Sequence, residues 1–362
     1  MGAQELKIQN NSTALNEAIT LLSELIETPS FSKEESRSAD ILERFFRLKS
    51  IPVKRHLNNI WVVNRYYDAE KPTILLNSHH DTVKPNKAYT LHPFKAITKD
   101  NKLYGLGSND AGASLVSLIS VFLYFHEALN LKYNLIFAAS AEEEISGVNG
   151  IQALLPYLGK IEFGIVGEPT LMQMAVAEKG LIVLDCISNG KAGHAARNEG
   201  VNALYSALPD IEWFKTFSFP KVSSLLGPVK MSVTHIETEN KAHNCVPAFC
   251  HFTVDIRYNE LYTPEEIIDE IKKNTSTEIK VRGLKIRSTS ISCNHPIVKA
   301  GVELGRGTYG SPTTSDKALM DFPVLKMGPG DSARSHTADE FVYLNEIEQG
   351  IDLYIQLLKK VL

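Results

Sequence analysis

Seven side chains in five short stretches could together hold metal ions and move a proton: His79 and Asp81, Asp110, Glu143 and Glu144, Glu168, and His336. His79-His80-Asp81 follows the apolar run Ile74-Leu75-Leu76, which reads as a short buried strand. Residues two apart in a strand share a face, so His79 and Asp81 point one way and His80 the other. That suits a metal-ligating imidazole whose tautomer is fixed by a carboxylate; a solvated turn with an incidental histidine is the alternative. Gly105-x-Gly107-x-x-Asp110 reads as a flexible loop that delivers Asp110 to the start of an apolar helix over 113–129, where a plain N-cap competes. With no third glycine at the dinucleotide-binding spacing and no Gly-Lys-Ser/Thr, the stretch is not a phosphate loop. Glu142-Glu143-Glu144 closes a strand over 133–140, and three adjacent carboxylates repel unless a cation sits among them. A solvated acidic turn is the bland version. Glu168 ends a further strand over 161–166.

Apolar strands that alternate with helical segments imply an open α/β sheet, whose ligands gather at the carboxyl ends of the strands. Three such ends carrying His79/Asp81, Glu143/Glu144 and Glu168, with Asp110 at a helix start, make a ligand set. His79, Asp110, Glu144, Glu168 and His336 suit Zn²⁺, with Co²⁺ or Mn²⁺ as substitutes, and the lack of thiolates argues against a structural zinc. Five ligands exceed what one open catalytic zinc needs and fit two ions about 3.5–4 Å apart, with Asp110 as the bridge and a water or hydroxide between them. Glu143, beside a ligand, is the candidate general base. The implied reaction is amide hydrolysis.

The remaining elements must position that set. Leu15–Ile26 has helical spacing, Ser32 and Glu35 resemble a capping box for the next helix, and Leu344–Leu358 reads as a closing amphipathic helix. From about Ala175 the pattern becomes β-α-β-β-α-β, a ferredoxin-like unit, with a helical stretch expected at Asn198–Leu208. The expected organisation is therefore a discontinuous metal-binding domain, 1–174 and 288–362, with 175–287 inserted. A chain of 362 residues accommodates two domains. A net charge of −4 gives no general attraction to nucleic acid or anionic membrane. No run of about 18 apolar residues suggests a span. The polar start, Met1 to Ser12, and four cysteines without a disulfide-like pattern fit cytoplasmic residence. His243, Cys245, Cys250 and His251 match no zinc-finger spacing, and strand packing accounts better for Cys250.

His79-x-Asp81, Gly105-x-Gly107-x-x-Asp110, Glu143-Glu144, Gly167-Glu168-Pro169-Thr170 and Ser335-His336-Thr337-x-Asp339-Glu340 resemble, in order, the motifs of the co-catalytic zinc metallopeptidases and deacylases. That family includes acetylornithine deacetylase, succinyl-diaminopimelate desuccinylase and aminoacylases. The resemblance implies a three-layer α/β/α catalytic domain with an α+β ferredoxin-like lid and dimerisation domain. It also implies two zinc ions, Asp81 as the orienter of His79, Glu143 as base, and a homodimer formed through the insert. Gly193-His194-Ala195 resembles the segment whose histidine stabilises the oxyanion in the partner subunit's site. Asn244 and Arg257 resemble positions that bind the substrate carboxylate, although the usual Gly-Gly before them is replaced by Glu237-Thr238-Glu239-Asn240. The segments Ala195–Gly200, Thr313–Met320 (with Thr314 and Ser315) and Lys326–Arg334 resemble the acetylornithine/acetylcitrulline deacetylase branch, in which Arg334 could hold a carboxylate. The expected substrate is a small N-acetyl or N-succinyl derivative of ornithine or citrulline in arginine biosynthesis. A desuccinylase of diaminopimelate type or a dipeptidase is the alternative within the family, and a non-enzymatic amino-acid sensor lies outside it.

Overall fold

The computed structural model describes residues 11–197, 199–283 and 286–362, so the N-terminal decapeptide, Asn198 and the pair Leu284-Lys285 lie outside the described residues. Two compact units share the chain. One runs to Val176 and resumes over Ile291–Tyr309 and Ser315–Leu362; the other comprises Ala177–Ser290 and Gly310–Thr314.

The first unit is built on a sheet in which Asn134–Ser140, Thr73–His79, Phe163–Val166 and Val324–Lys326 lie side by side and parallel. Asn59–Val63 adds antiparallel to Asn134–Ser140, and Lys54–His56 pairs antiparallel beyond it. Alternation divides the sheet between two cores. Ile74, Leu76, Leu135, Phe137 and Ala139 pack with helices Asn11–Ile26, Ser36–Leu48, Ala113–His126 and Leu344–Lys359. Leu75, Ile136 and Ala138 pack on the opposite face with Ile151, Leu154 and Leu158 of helix Ile151–Leu158. This is the expected α/β/α layering. Every residue of Thr73–His79 and Asn134–Ser140 is buried, and each fully buried Leu, Ile or Phe is worth about 1.5–3 kcal/mol over exposure. Charged ligands therefore have no place inside these strands and enter where the strands end.

Ser108–His126 is long and apolar enough to cross a membrane by length and composition, but 78% of the qualifying window is buried inside the protein. It is apolar all round because the sheet and two other helices cover it.

The second unit is a four-stranded antiparallel sheet in the order Lys230–Thr238, Phe249–Tyr258, Gly180–Asn189, Glu278–Val281. Its helices are Ala203–Thr216 and Pro264–Asn274. That strand order with two helices is the ferredoxin-like arrangement. The helix expected at Asn198 starts instead at Ala203, because the Asn202 side chain caps it by accepting from the backbone N–H of Leu204. Ser32 and Glu35 form no capping box either: Glu35 occupies the N-cap position of Ser36–Leu48, but its side chain makes no cap hydrogen bond. Ser32 donates to the Asp81 carboxylate at 2.7 Å, and Glu35, fully buried, accepts from the backbone N–H groups of Lys33 and Glu142. Both serve the loops beside the ligands.

Candidate metal centre

His79 is the last residue of its strand and is 1% exposed. Its Nδ1 lies 3.0 Å from the Asp81 carbonyl oxygen and 3.5 Å from Asp81 Oδ1. Donation from Nδ1 leaves the Nε2 lone pair directed at the site. The Asp81 carboxylate also accepts from the backbone N–H groups of Glu143 (3.0 Å) and Glu144 (3.2 Å). One carboxylate thus ties the His79 strand to the loop that carries both glutamates. The sequence suggested only the first of these tasks.

The three consecutive glutamates go to three destinations. Glu142, at φ +53°, turns away and accepts from Asn149 Nδ2 at 2.9 Å. Glu143 Oε2 stands 3.9 Å from His79 Nε2. Glu144 Oε2 stands 3.0 Å from His336 Nε2.

Asp110 sits in the turn Ser108–Gly112 that precedes the buried helix, with non-helical φ/ψ of −115° and 100°. It is not an N-cap. A residue without an assigned role holds this turn: the buried carboxylate of Glu340 accepts from the backbone N–H groups of Gly107 (3.1 Å), Asn109 (2.8 Å) and Asp110 (2.9 Å). Gly107 has φ +78°, and a Cβ there would meet Thr82 Cγ2 at 2.6 Å, so the turn admits only glycine at that point. Asn109 adds a two-way bond with the backbone of Asp331. Nothing local to Ser335-His336-Thr337-x-Asp339-Glu340 marks its last carboxylate as buried, so the sequence carried no signal for the Glu340 role.

These supports bring two groups together, each within 4.8 Å: His79, Asp110 and Glu168, and Asp110, Glu144 and His336. Asp110 belongs to both. Its Oδ1 is 3.3 Å from His79 Nε2 and its Oδ2 is 3.7 Å from His336 Nε2, while Glu168 Oε1 is 3.8 Å from His79 Nε2. Ligand atoms bound tetrahedrally at roughly 2.0–2.1 Å from zinc stand about 3.3 Å apart, so the donors already have near-ligand spacing.

The electrostatics point the same way. Burial would push the His79 imidazole down, but Glu143, Asp110, Asp81 and Glu168 outweigh it and raise its pKa well above the ordinary value. Against burial, the His79 hydrogen bond holds Asp110 low. Burial, then repulsion from Glu168, Asp316 and Glu144, pushes Glu143 well up. Burial and the nearby Asp110 push Glu340 up to about 8. The Glu144 hydrogen bond raises His336 to about 9. Carboxyls so crowded that some resist ionisation form an environment that divalent cations relieve.

The sign of these shifts makes the stability of the metal-free protein depend on pH. Glu340 and His336 both titrate higher in the folded state, so their stabilising contributions are intact below the unfolded pKa values and are lost as pH rises toward 8 and 9. Buried His80, lowered to about 4 chiefly by burial, acts oppositely only between about 4 and its unfolded value of 6.5. Between pH 6.5 and 8 the chelated protein is therefore expected to lose several degrees of Tm, and added Zn²⁺ to restore them. A Tm flat across that window in chelator would contradict these assignments.

The other residues singled out from the sequence divide between the units. His194, Asn244, Arg257 and Thr314 belong to the second unit; Ser315 and Arg334 belong to the first, with the two ligand groups. His194 is exposed on the short strand Gly193–His194, and its Nδ1 accepts from the Ala196 N–H at 3.1 Å, so the neutral ring carries its proton on Nε2. Asn244 is exposed and its carbonyl accepts from the Ala195 N–H. Arg257 pairs with Asp255 at 2.9 and 3.0 Å. Thr314 is half-buried and Ser315 buried. Arg334 grips Glu346 with two bonds, at 2.9 and 2.6 Å, and donates to the Phe341 carbonyl. The substituted Gly-Gly loop has its own bonds: Glu239 accepts from the N–H groups of Ala248 and Phe249.

The chain is similar to a protein of Ruegeria sp. named succinyl-diaminopimelate desuccinylase 2, at 25% identity over 81% of each chain. Several further curated relatives, at 24–27% identity, are also named succinyl-diaminopimelate desuccinylase. These names do not single out the acetylornithine deacetylase branch. Among solved structures, a tripeptidase of Staphylococcus aureus superposes with a TM-score of 0.78 at 22% identity, over 96% of this chain and 98% of that one. A Bacillus subtilis protein described as a dinuclear metal-binding peptidase of family M20 gives 0.71 at 14%, over 97% and 99%. The family model for peptidase family M20/M25/M40 matches residues 75–360. The match takes in both ligand groups, and the chain belongs to that family as a metal-dependent hydrolase of amide bonds.

Proposed function

We propose that this protein removes an acyl group from the amino nitrogen of a small N-acyl amino acid, with N-succinyl-diaminopimelate as the favoured substrate. The observation that carries the reaction is the pair of ligand groups sharing Asp110 with Glu143 beside them. The relatives' names favour the succinyl substrate.

In this reading His79, Asp110 and Glu168 hold one ion, and Asp110, Glu144 and His336 hold the other. Imidazole and carboxylate donors without thiolate favour Zn²⁺, with Co²⁺ or Mn²⁺ able to substitute. When bound, such ions supply Lewis-acid polarisation of the scissile carbonyl and an acidified water. Glu143 takes a proton from the attacking water as the new C–O bond forms and returns it to the amine nitrogen as the C–N bond breaks. Asp81 keeps Glu143 and His79 in register through its hydrogen bonds with His79, Glu143, Glu144 and Ser32. His194, with its proton on Nε2, donates to the oxyanion from a partner copy in a homodimer built through the inserted 175–287 domain. Asn244 and Arg257 face the substrate carboxylate, Arg257 sharing its guanidinium with Asp255. Thr314 and Ser315 also serve substrate binding, whereas Arg334, committed to Glu346, buttresses the His336 loop.

N-acetyl and N-succinyl derivatives of ornithine and citrulline, expected from the motifs around Ala195 and Met327, present the same amide beside an α-carboxylate. The test is amine release from these four and from N-succinyl-diaminopimelate by Zn- and Co-loaded protein. Fastest turnover of the diaminopimelate derivative, lost on chelation, is the expected result. Preference for an ornithine or citrulline derivative would transfer the protein to that substrate, and no turnover of any would overturn the deacylase reading.

A further inference from the structure

The second unit carries another cluster of imidazole and carboxylate groups. In its sheet, Cys186, Leu184, Cys250, Phe252 and Val254 face the unit's helices and are fully buried. The alternate residues form the face that those helices do not cover. There Glu237 lies directly opposite His251, and His235 opposite Thr253. A bulge between Val233 and His235 creates this register. Val233 pairs with Val254 on the helix side. Without the extra residue, Thr234 would oppose Thr253, and Ile236 would oppose His251. The bulge moves both His235 and Glu237 onto the open face.

His235, Glu237 and His251 present ligand atoms all within 4.8 Å of one another. His251 Nδ1 is 3.4 Å from Glu237 Oε1, close to the edge of about 3.3 Å between ligands on a tetrahedral zinc. The other ring nitrogen, Nε2, lies 3.0 Å from Asp185 Oδ1. Asp185 is in turn fixed by Arg282 through two bonds of 2.6 Å. A ligating imidazole whose second nitrogen is held by an anchored carboxylate is the arrangement that orients histidine toward a metal.

We propose that His235, Glu237 and His251 form a second binding site for a borderline divalent transition metal such as Zn²⁺. It is separate from the pair of ions at Asp110, its fourth position is open to solvent, and Asp185 is its positioning residue. The bound ion ties the edge strand Lys230–Thr238 to its neighbour Phe249–Tyr258. Two imidazoles and one carboxylate select zinc, nickel or copper over magnesium or calcium.

The test is metal content by mass spectrometry after equilibrating full-length protein with Zn²⁺ and removing excess, together with the visible spectrum of the Co²⁺ form. The wild type is expected to hold one ion more per chain than His235→Ala, Glu237→Gln or His251→Ala, with hydrolytic activity unchanged in all three. Asp185→Asn should weaken that ion alone by about 10–100-fold. His235 and Glu237 are exposed on an edge strand, so their replacement leaves the core intact should His251→Ala fail to fold. Equal metal content and equal cobalt spectra in the wild type and the His235 and Glu237 variants would reduce the cluster to a histidine held between two carboxylates and overturn the proposal.

Discussion

Glu143→Gln is expected to lower kcat by about 10²–10⁴-fold, the range for loss of a positioned general base, while both ions and the fold are retained. Glutamine keeps the volume of the side chain and removes only its capacity to accept a proton. The backbone bond from Glu143 N–H to Asp81 is unaffected, so Glu144 and His79 stay in place. Burial, followed by repulsion from Glu168, Asp316 and Glu144, already makes the ionised form of this carboxyl costly. A neutral amide therefore relieves the metal-free protein, whose Tm at pH 8 should equal or exceed that of the wild type. A drop in turnover with undiminished metal content and Tm would separate the base from the ligands, since loss of a ligand moves all three. Activity within about tenfold of wild type would remove Glu143 from the proton transfer.

The layered sheet and its ligand-bearing edge were legible because burial writes itself into sequence. Ile74-Leu75-Leu76 and the run 135–139 are apolar on both faces, which only a sheet covered on both sides requires, and His79 and Glu142 each follow three residues after the run ends. The ferredoxin-like order was legible for a related reason: its helices cover one face, so its strands alternate. What could not be read were bonds whose partners are distant in the chain. Ser32 and Glu35 have the spacing of a capping box, and local spacing cannot tell that one reaches Asp81 and the other Glu142. Glu340 looks like a surface acid after Asp339, yet it is buried beneath three backbone N–H groups more than two hundred residues earlier in the chain. Arg334 had the chemistry of a carboxylate binder, and the carboxylate it found was Glu346, on the helix that follows. The bulge beside His235 is likewise silent in sequence, because nothing local to Thr234 marks it as the unpaired residue.

Asp110→Asn is expected to have the widest effect of any single replacement at the site, because Asp110 is the one residue common to both ligand groups. Asparagine keeps the shape but offers one neutral oxygen in place of a two-oxygen anion, so it cannot bridge two cations. Metal content should fall from two ions to below one per chain at the Asp110 centre, with kcat down by about 10³-fold or more, since several kcal/mol of charge stabilisation go with the ions. Glu168→Gln and Glu144→Gln each touch one group, and each should release one ion while the other stays. The loss in Asp110→Asn would not come from collapse of the turn. Glu340 holds that turn through backbone N–H groups, which no side-chain exchange at position 110 removes, and Gly107 keeps its left-handed conformation. Near-wild-type Tm in the chelated variant would show that the turn survives. Metal titration of the three variants side by side then decides the geometry: one ion still held tightly by Asp110→Asn would mean that the two groups bind independently, and Asp110 would no longer be their bridge.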